Sequence, residues 1–346
     1  MGSVLIKLIF VAVGVGLKFT AGGVDNTLLQ LLFLVIGFVL LIKGADWFVD
    51  GASGVADRMG ISQLIIGLTV VAFGTSAPEA AVSITAATKA QGVDIAISNV
   101  MGSNIMNILL ILGLAALLCP LPVQRSTKKI EIPFVIFITA LVLVLGYFDS
   151  SLGHLDGAIL LVCMAGFLIY TILMAKKGKQ EAEETEEKKN PPALLILDIL
   201  VGIVAIVMGS DITVSSATYV ALHFGMSEKL VGLTIVAFGT SLPELITSCI
   251  ASIKKKPDIA VGNIVGSNIF NILFVLAMSA AITPLPYVNV STGADFLIDN
   301  IVAIGAAVIL LICVLGGKDK IRRWGGAVML ASYAGYFFYL MQGMKG

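Results

Sequence analysis

About twenty mostly apolar residues are needed to cross the hydrocarbon core of a bilayer, and stretches of that length recur ten times along this chain. They lie roughly at 28 to 49, 62 to 88, 94 to 118, 131 to 147, 157 to 174, 193 to 222, 227 to 252, 258 to 282, 296 to 315 and 325 to 342. At lipid depth every backbone polar group must be satisfied internally, which for segments of this length means helices. Composition agrees: 58% of the 346 residues are hydrophobic, 13% are charged and the mean hydropathy is +1.02. Soluble domains carry roughly 45 to 50% apolar and about 25% charged residues. The expectation is an all-α polytopic membrane protein with ten transmembrane helices and the lipid bilayer as its surroundings. A formal net charge of zero gives no reason to expect nucleic acid, and no obligatory protein partner is evident.

Before the first span, Leu8 to Leu17 is a short apolar run between Lys7 and Lys18, read as a signal-like stretch or an interfacial helix. The one hydrophilic stretch, Lys176 to Pro192, holds five glutamates flanked by lysines and closes on Pro191 and Pro192. It reads as a solvated linker. The expected organisation is therefore an N-terminal extension at 1–27, a first five-helix repeat at 28–174, a charged linker at 175–192 and a second five-helix repeat at 193–346. Of the 22 Lys and Arg residues, 16 fall in alternate connections around Arg58, Arg125 to Lys129, Lys176 to Lys189, Lys254 to Lys256 and Lys318 to Arg323. Positive loops stay in the cytoplasm, so the linker is expected inside a cell membrane and both termini outside.

The two repeats show in the residues. Gly67 to Ser83 reads GLTVVAFGTSAPEAAVS and Gly232 to Ser248 reads GLTIVAFGTSLPELITS, identical at 12 of 17 positions. Asn99 to Leu109 (NVMGSNIMNIL) and Asn263 to Leu273 (NIVGSNIFNIL) agree at 8 of 11. Five spans per half is an odd number, so the second copy enters the membrane from the opposite face. Inverted halves around a midplane site are an architecture of secondary transporters.

Glu79 and Glu244 lie inside these apolar runs, where a carboxylate is costly unless it faces a cavity with a counter-charge. No Lys or Arg lies in the interior of either run, so a bound cation is the natural complement of a pair carrying charge minus two. One Ca2+ or two Na+ would neutralise it. Pro78 and Pro243 have no N–H and deny a helical partner to the carbonyls of Gly74 and Gly239. Both runs should therefore break around Gly-Thr-Ser-x-Pro and offer carbonyl oxygens near Ala72, Thr75, Ala237 and Thr240 as hard-cation ligands. The hydroxyls of Thr75, Ser76, Thr240 and Ser241 complete an all-oxygen shell. In the next spans Asn99, Ser103 and Asn107 fall at i, i+4 and i+8 on one stripe, repeated by Asn263, Ser267 and Asn271. Such a stripe is either part of the site or hydrogen-bonding glue between helices. Lys43 and Asp46, spaced i, i+3, are expected to pair within their helix.

The paired GTSxPE and GSNxxN motifs, and nearly the whole chain after residue 28, resemble the Na+/Ca2+ exchangers of the calcium/cation antiporter superfamily, the prokaryotic members most closely. The resemblance implies an antiporter and not an enzyme, with no cofactor beyond the transported Ca2+ and Na+. It further implies that Glu79 and Glu244 are shared by both ions, with Thr75, Thr240 and the carbonyls of Ala72 and Ala237 contributing. Ser76 with Ser103, and Ser241 with Ser267, would line two outer Na+ sites, with Asn107 and Asn271 as the central polar pair. Asparagine at both central positions speaks against a K+-dependent subtype. Ser98 stands where the family's first repeat often has glycine, a change the sequence leaves without a reason. The alternative is H+/Ca2+ exchange, but those relatives carry a glutamate where this chain has Asn-x-x-Gly-Ser-Asn. An intramembrane hydrolase would need a histidine or lysine that the motifs lack.

Overall fold

The computed structural model describes residues 2–21, 24–89, 93–181, 191–226, 235, 237–289 and 294–343. Helix α1 (Gly2–Ala21) precedes the long α2 (Thr27–Met59). A pair bent by 50° follows, α3 (Gln63–Thr75) and α4 (Ala77–Ala87), and then α5 (Asp94–Leu118) and α6 (Thr127–Phe148). After α7 (His154–Glu181) and the long α8 (Pro192–His223) come a three-residue turn of helix, α9 (Ala237–Gly239), and α10 (Leu242–Ile253). The chain ends with α11 (Pro257–Ile282), α12 (Leu297–Gly316) and α13 (Arg323–Gly343).

Among the described residues seven helices are long and apolar enough to cross a membrane, and the bent pair α3–α4 makes an eighth when counted as one span. The expected span at 227 to 252 falls partly outside the described residues, which there include α9 and α10. Most of the expected linker, 182–190, also lies outside them. Helices α5 and α11 are the centre of the molecule: 78% and 94% of their apolar windows are buried, against 17% for α7.

Two-residue antiparallel ladders tie the connections. β1 (Leu121–Pro122) pairs with β4 (Lys320–Ile321), and β2 (Ser151–Leu152) with β3 (Leu285–Pro286). The Leu-Pro pairs that follow α5 and α11 thus each hold a loop of the other half.

Helices α2 and α8 approach each other through glycine. A Cβ on Gly44 would stand 2.9 Å from the Gly202 carbonyl, and one on Gly202 would stand 2.8 Å from that of Gly44. No larger residue permits that backbone separation. Of the two readings of the N-terminal extension the structure has the helical one, longer than the apolar run: it is one continuous 20-residue helix. Lys7 pairs with Asp198, Lys18 with Asp211 at 2.5 Å, and Phe10 meets Trp47 edge-on at 5.4 Å. Both lysines are neutralised by α8, so the helix runs past them, and the order of the two pairs makes α1 and α8 run in the same direction. The expected Lys43–Asp46 pair is also corrected. Asp46 pairs instead with Lys254 at 2.6 Å, which also holds Asp50 at 2.7 Å. Burial alone would lower the Lys254 ammonium's pKa, but bonds to the two aspartates carry it above the ordinary lysine value.

Candidate ion-binding site

The breaks fall where proline dictates. Helix α4 starts with Pro78 in its first turn and α10 with Pro243 in its first turn, a position where the missing N–H is one that has no helical partner. The glutamate that follows each proline therefore lies in a helix's first turn, where the peptide dipoles favour negative charge. The Gly239 carbonyl, which Pro243 cannot serve, accepts the Ser210 hydroxyl at 2.8 Å.

Glu79 and Glu244 are both fully buried, and each is held by a serine from the opposite break. Ser76 Oγ donates to Glu244 Oε1 at 2.9 Å, and Ser241 Oγ donates to Glu79 Oε1 at 3.1 Å. Ser103 Oγ of α5 lies 3.3 Å from Ser241 Oγ, while Ser267 Oγ of α11 lies 3.5 Å from Thr75 Oγ1. Thr240 lies against the Glu79 carboxylate, as Thr75 and Ser267 lie against that of Glu244. The close passage that brings α3 onto α11 depends on Gly67 and Gly262, since a Cβ on either would stand 3.0 Å from the other's Cα.

The asparagine stripe divides into two roles. Asn99 Nδ2 donates to Ser83 Oγ at 2.8 Å and to the Glu79 carbonyl at 3.3 Å, and Asn263 Nδ2 donates to Ser248 Oγ at 2.9 Å. Those contacts join each stripe helix to the glutamate helix of its own half. Asn107 and Asn271, both fully buried, instead start π-helical stretches at Asn107–Leu112 and Asn271–Leu276. Such wider turns are frequent at functional sites. Sequence reasoning passed over Asn104 and Asn268, the first asparagine of each GSNxxN: Asn107 Nδ2 donates to Asn268 Oδ1 at 3.0 Å and Asn271 Nδ2 to Asn104 Oδ1 at 3.1 Å. The signal was present as an i, i+3 pair in each motif.

Four oxygens are left over. Glu79 Oε2, Glu244 Oε2, Asn107 Oδ1 and Asn271 Oδ1 are buried and take no hydrogen bond from any described residue. Among the described residues no salt bridge reaches either glutamate. Carboxylate and amide oxygens without donors are hard ligands of the kind that suits Ca2+ or Na+. One expected ligand is already engaged: the Ala72 carbonyl accepts the Ser76 N–H at 3.0 Å.

Residues 29–173 and 194–342 match the family described as Sodium/calcium exchanger protein. The chain belongs to that family. The exchanger is 41% identical over 325 residues to the putative antiporter CaxA of Alkalimonas amylolytica, covering 90% of this chain and 99% of the relative. It is 32% identical over 347 residues to the sodium/calcium exchanger MaX1 of Methanosarcina acetivorans, covering 89% and 97%. A solved structure of the sodium-calcium exchanger NCX_Mj, soaked with 2.5 mM Na+ and 10 mM Sr2+, superposes with a TM-score of 0.77 at 32% identity over 89% of this exchanger and 98% of that chain. Helix α1 precedes the matched residues.

Proposed function

We propose that this chain exchanges Na+ for Ca2+ across a cell membrane by alternating access, electrogenically and without K+. The observation that carries the reading is the set of four unpartnered buried oxygens on Glu79, Glu244, Asn107 and Asn271. Their formal charge of minus two is balanced by one Ca2+ or two Na+, and a cation repays the desolvation that two buried carboxylates cost. In the full proposed set, Thr75, Thr240, Ser76, Ser241, Ser103 and Ser267 supply hydroxyls around these oxygens. The carbonyls of Ala72 and Ala237 stand at its margin.

Two inverted five-helix repeats, 28–174 and 193–346, are the proposed frame, supported by the duplicated motifs and by one family matching two stretches. Charge placement puts the 175–192 linker in the cytoplasm and the C-terminus outside. Helix α1 runs in the direction of α8, which favours an N-terminus on the linker's side, in place of the outside position expected from the sequence. Cysteines introduced at Ser3 and at Lys179 should then both be shielded from an impermeant thiol reagent in right-side-out vesicles. Labelling at Ser3 alone would return the N-terminus to the outside.

The deciding experiment is isotopic Ca2+ uptake into Na+-loaded proteoliposomes, with Na+, K+ and pH gradients imposed in turn. Uptake should follow the Na+ gradient, persist when choline replaces K+, and change when an ionophore collapses the membrane potential. Carrying one net charge through 100 mV is worth about 2.3 kcal/mol, so a third Na+ per Ca2+ would be plainly visible. Uptake driven by a pH gradient alone would establish the proton exchanger instead.

A further inference from the structure

Two backbone carbonyls decide how four buried side chains are turned. Asn104 Nδ2 donates to the Asn268 carbonyl and Asn268 Nδ2 donates to the Asn104 carbonyl, both at 3.2 Å. A backbone carbonyl only accepts, so in each amide the nitrogen must face it and the oxygen must face the other way. There Asn268 Oδ1 accepts from Asn107 Nδ2 at 3.0 Å and Asn104 Oδ1 from Asn271 Nδ2 at 3.1 Å. The same logic passes down one more step: with the nitrogens of Asn107 and Asn271 turned to the partner asparagines, their oxygens face the other way, and those are the Oδ1 atoms that take no hydrogen bond from any described residue. An isolated amide at that depth can present either end. These two cannot, because Asn104 and Asn268 are 3% and 1% exposed and the choice is propagated from the main chain.

We propose that Asn104 and Asn268 are positioning residues that hold Asn271 and Asn107 with the carbonyl oxygen, not the NH2, toward the cation, and so set the affinity for Ca2+. The proposal rests on the exchange site described above and adds to it a pair of residues that touch no ion. It also accounts for two neutral amides at the centre. A carboxylate at position 107 would set its oxygen against Asn268 Oδ1, acceptor against acceptor, and would need a proton to be held there. The quartet thereby favours a site charge of minus two.

The test separates positioning from general support by a double-mutant cycle, read as the Ca2+ concentration for half-maximal uptake in proteoliposomes and as equilibrium 45Ca2+ binding to the purified protein. Asn268→Ser should raise both by about tenfold, the equivalent of one lost charge-assisted hydrogen bond, while the maximal rate changes by less than about threefold. In an Asn107→Ala background the same Asn268→Ser change should add nothing, because the group it orients is gone. In an Asn271→Ala background its effect should persist in full. Equal effects in the two backgrounds would mean that Asn268 only supports the fold, and would overturn the proposal. If Asn268→Ser does not give a monodisperse protein, Asn104→Ser is run against Asn271→Ala and Asn107→Ala with the roles exchanged. Loss of uptake in Glu79→Gln with no coupling between the asparagines would remove the positioning role alone. Retained uptake in Glu79→Gln would remove the site itself.

Discussion

In the second half, Gly262 and Gly266 of α11 lie against α3, where added Cβ atoms would stand 2.9 Å from the Leu64 carbonyl and 2.7 Å from that of Leu68. In the first half the matching residues of α5 are Ser98 and Gly102, and a Cβ on Gly102 would meet no described atom within 4 Å. Ser98 is exposed, and its hydroxyl returns to its own helix at 2.9 Å from the Asp94 carbonyl. Where both halves are described, at the candidate site, they agree: Ser76 and Ser241 hold each other's glutamates.

Agreement at the site predicts that the halves are equally needed. Glu79→Gln and Glu244→Gln should each reduce Na+-driven Ca2+ uptake by at least about 100-fold, since removing one charge from a buried charged set costs roughly 3 to 5 kcal/mol. Both variants should remain folded, judged by monodispersity in detergent, because glutamine keeps an acceptor for Ser76 or Ser241. A variant with near-normal exchange in one half only would break the equivalence.

How far the sequence could be read follows the same division. The glutamates, serines and prolines of the broken helices were legible because charge at lipid depth and motif repetition are local signals. The partners of Asp46 and Lys18 were not. Lys254 reaches Asp46 from 208 residues away, so an i, i+3 reading found the neighbour in sequence and missed the one in space. The apolar ruler stopped at Lys7 and Lys18 for the same reason, since their charges are cancelled by α8. Asn104 and Asn268 escaped because a stripe counted at i, i+4 records one face of the helix. Their partners lie on the opposite half.

The close crossing of α11 by α3 predicts a low tolerance of one added methyl group. Gly266→Ala drives a Cβ into the Leu68 carbonyl and should lower stability by about 1 to 3 kcal/mol, measured by thermal unfolding in one detergent. A loss below about 0.5 kcal/mol would show that the crossing yields to a methyl group.

The smallest effect concerns how the two long helices are fastened. Asp46 of α2 is held by Lys254, which directly follows α10, the helix that carries Glu244, so this bridge ties a long helix to the core of the other half. Its sequence counterpart, Asp211 of α8, is held by Lys18 of α1, which lies outside the repeats and packs on α8 itself. If the long helices move over the core during exchange, breaking the first bridge changes the balance between the two access states, and breaking the second leaves it alone. Lys254 is 24% and Asp46 34% exposed, and partly solvated pairs contribute about 0 to 1 kcal/mol. Lys254→Ala should therefore shift the turnover rate by up to about fivefold, with Lys18→Ala close to the parent. The gap should shrink in about 1 M salt, where screening acts over only about 3 Å. Equal rate changes for the two lysines would mean that α1 also fastens α8 to the core, and that the helices are pinned alike in both halves.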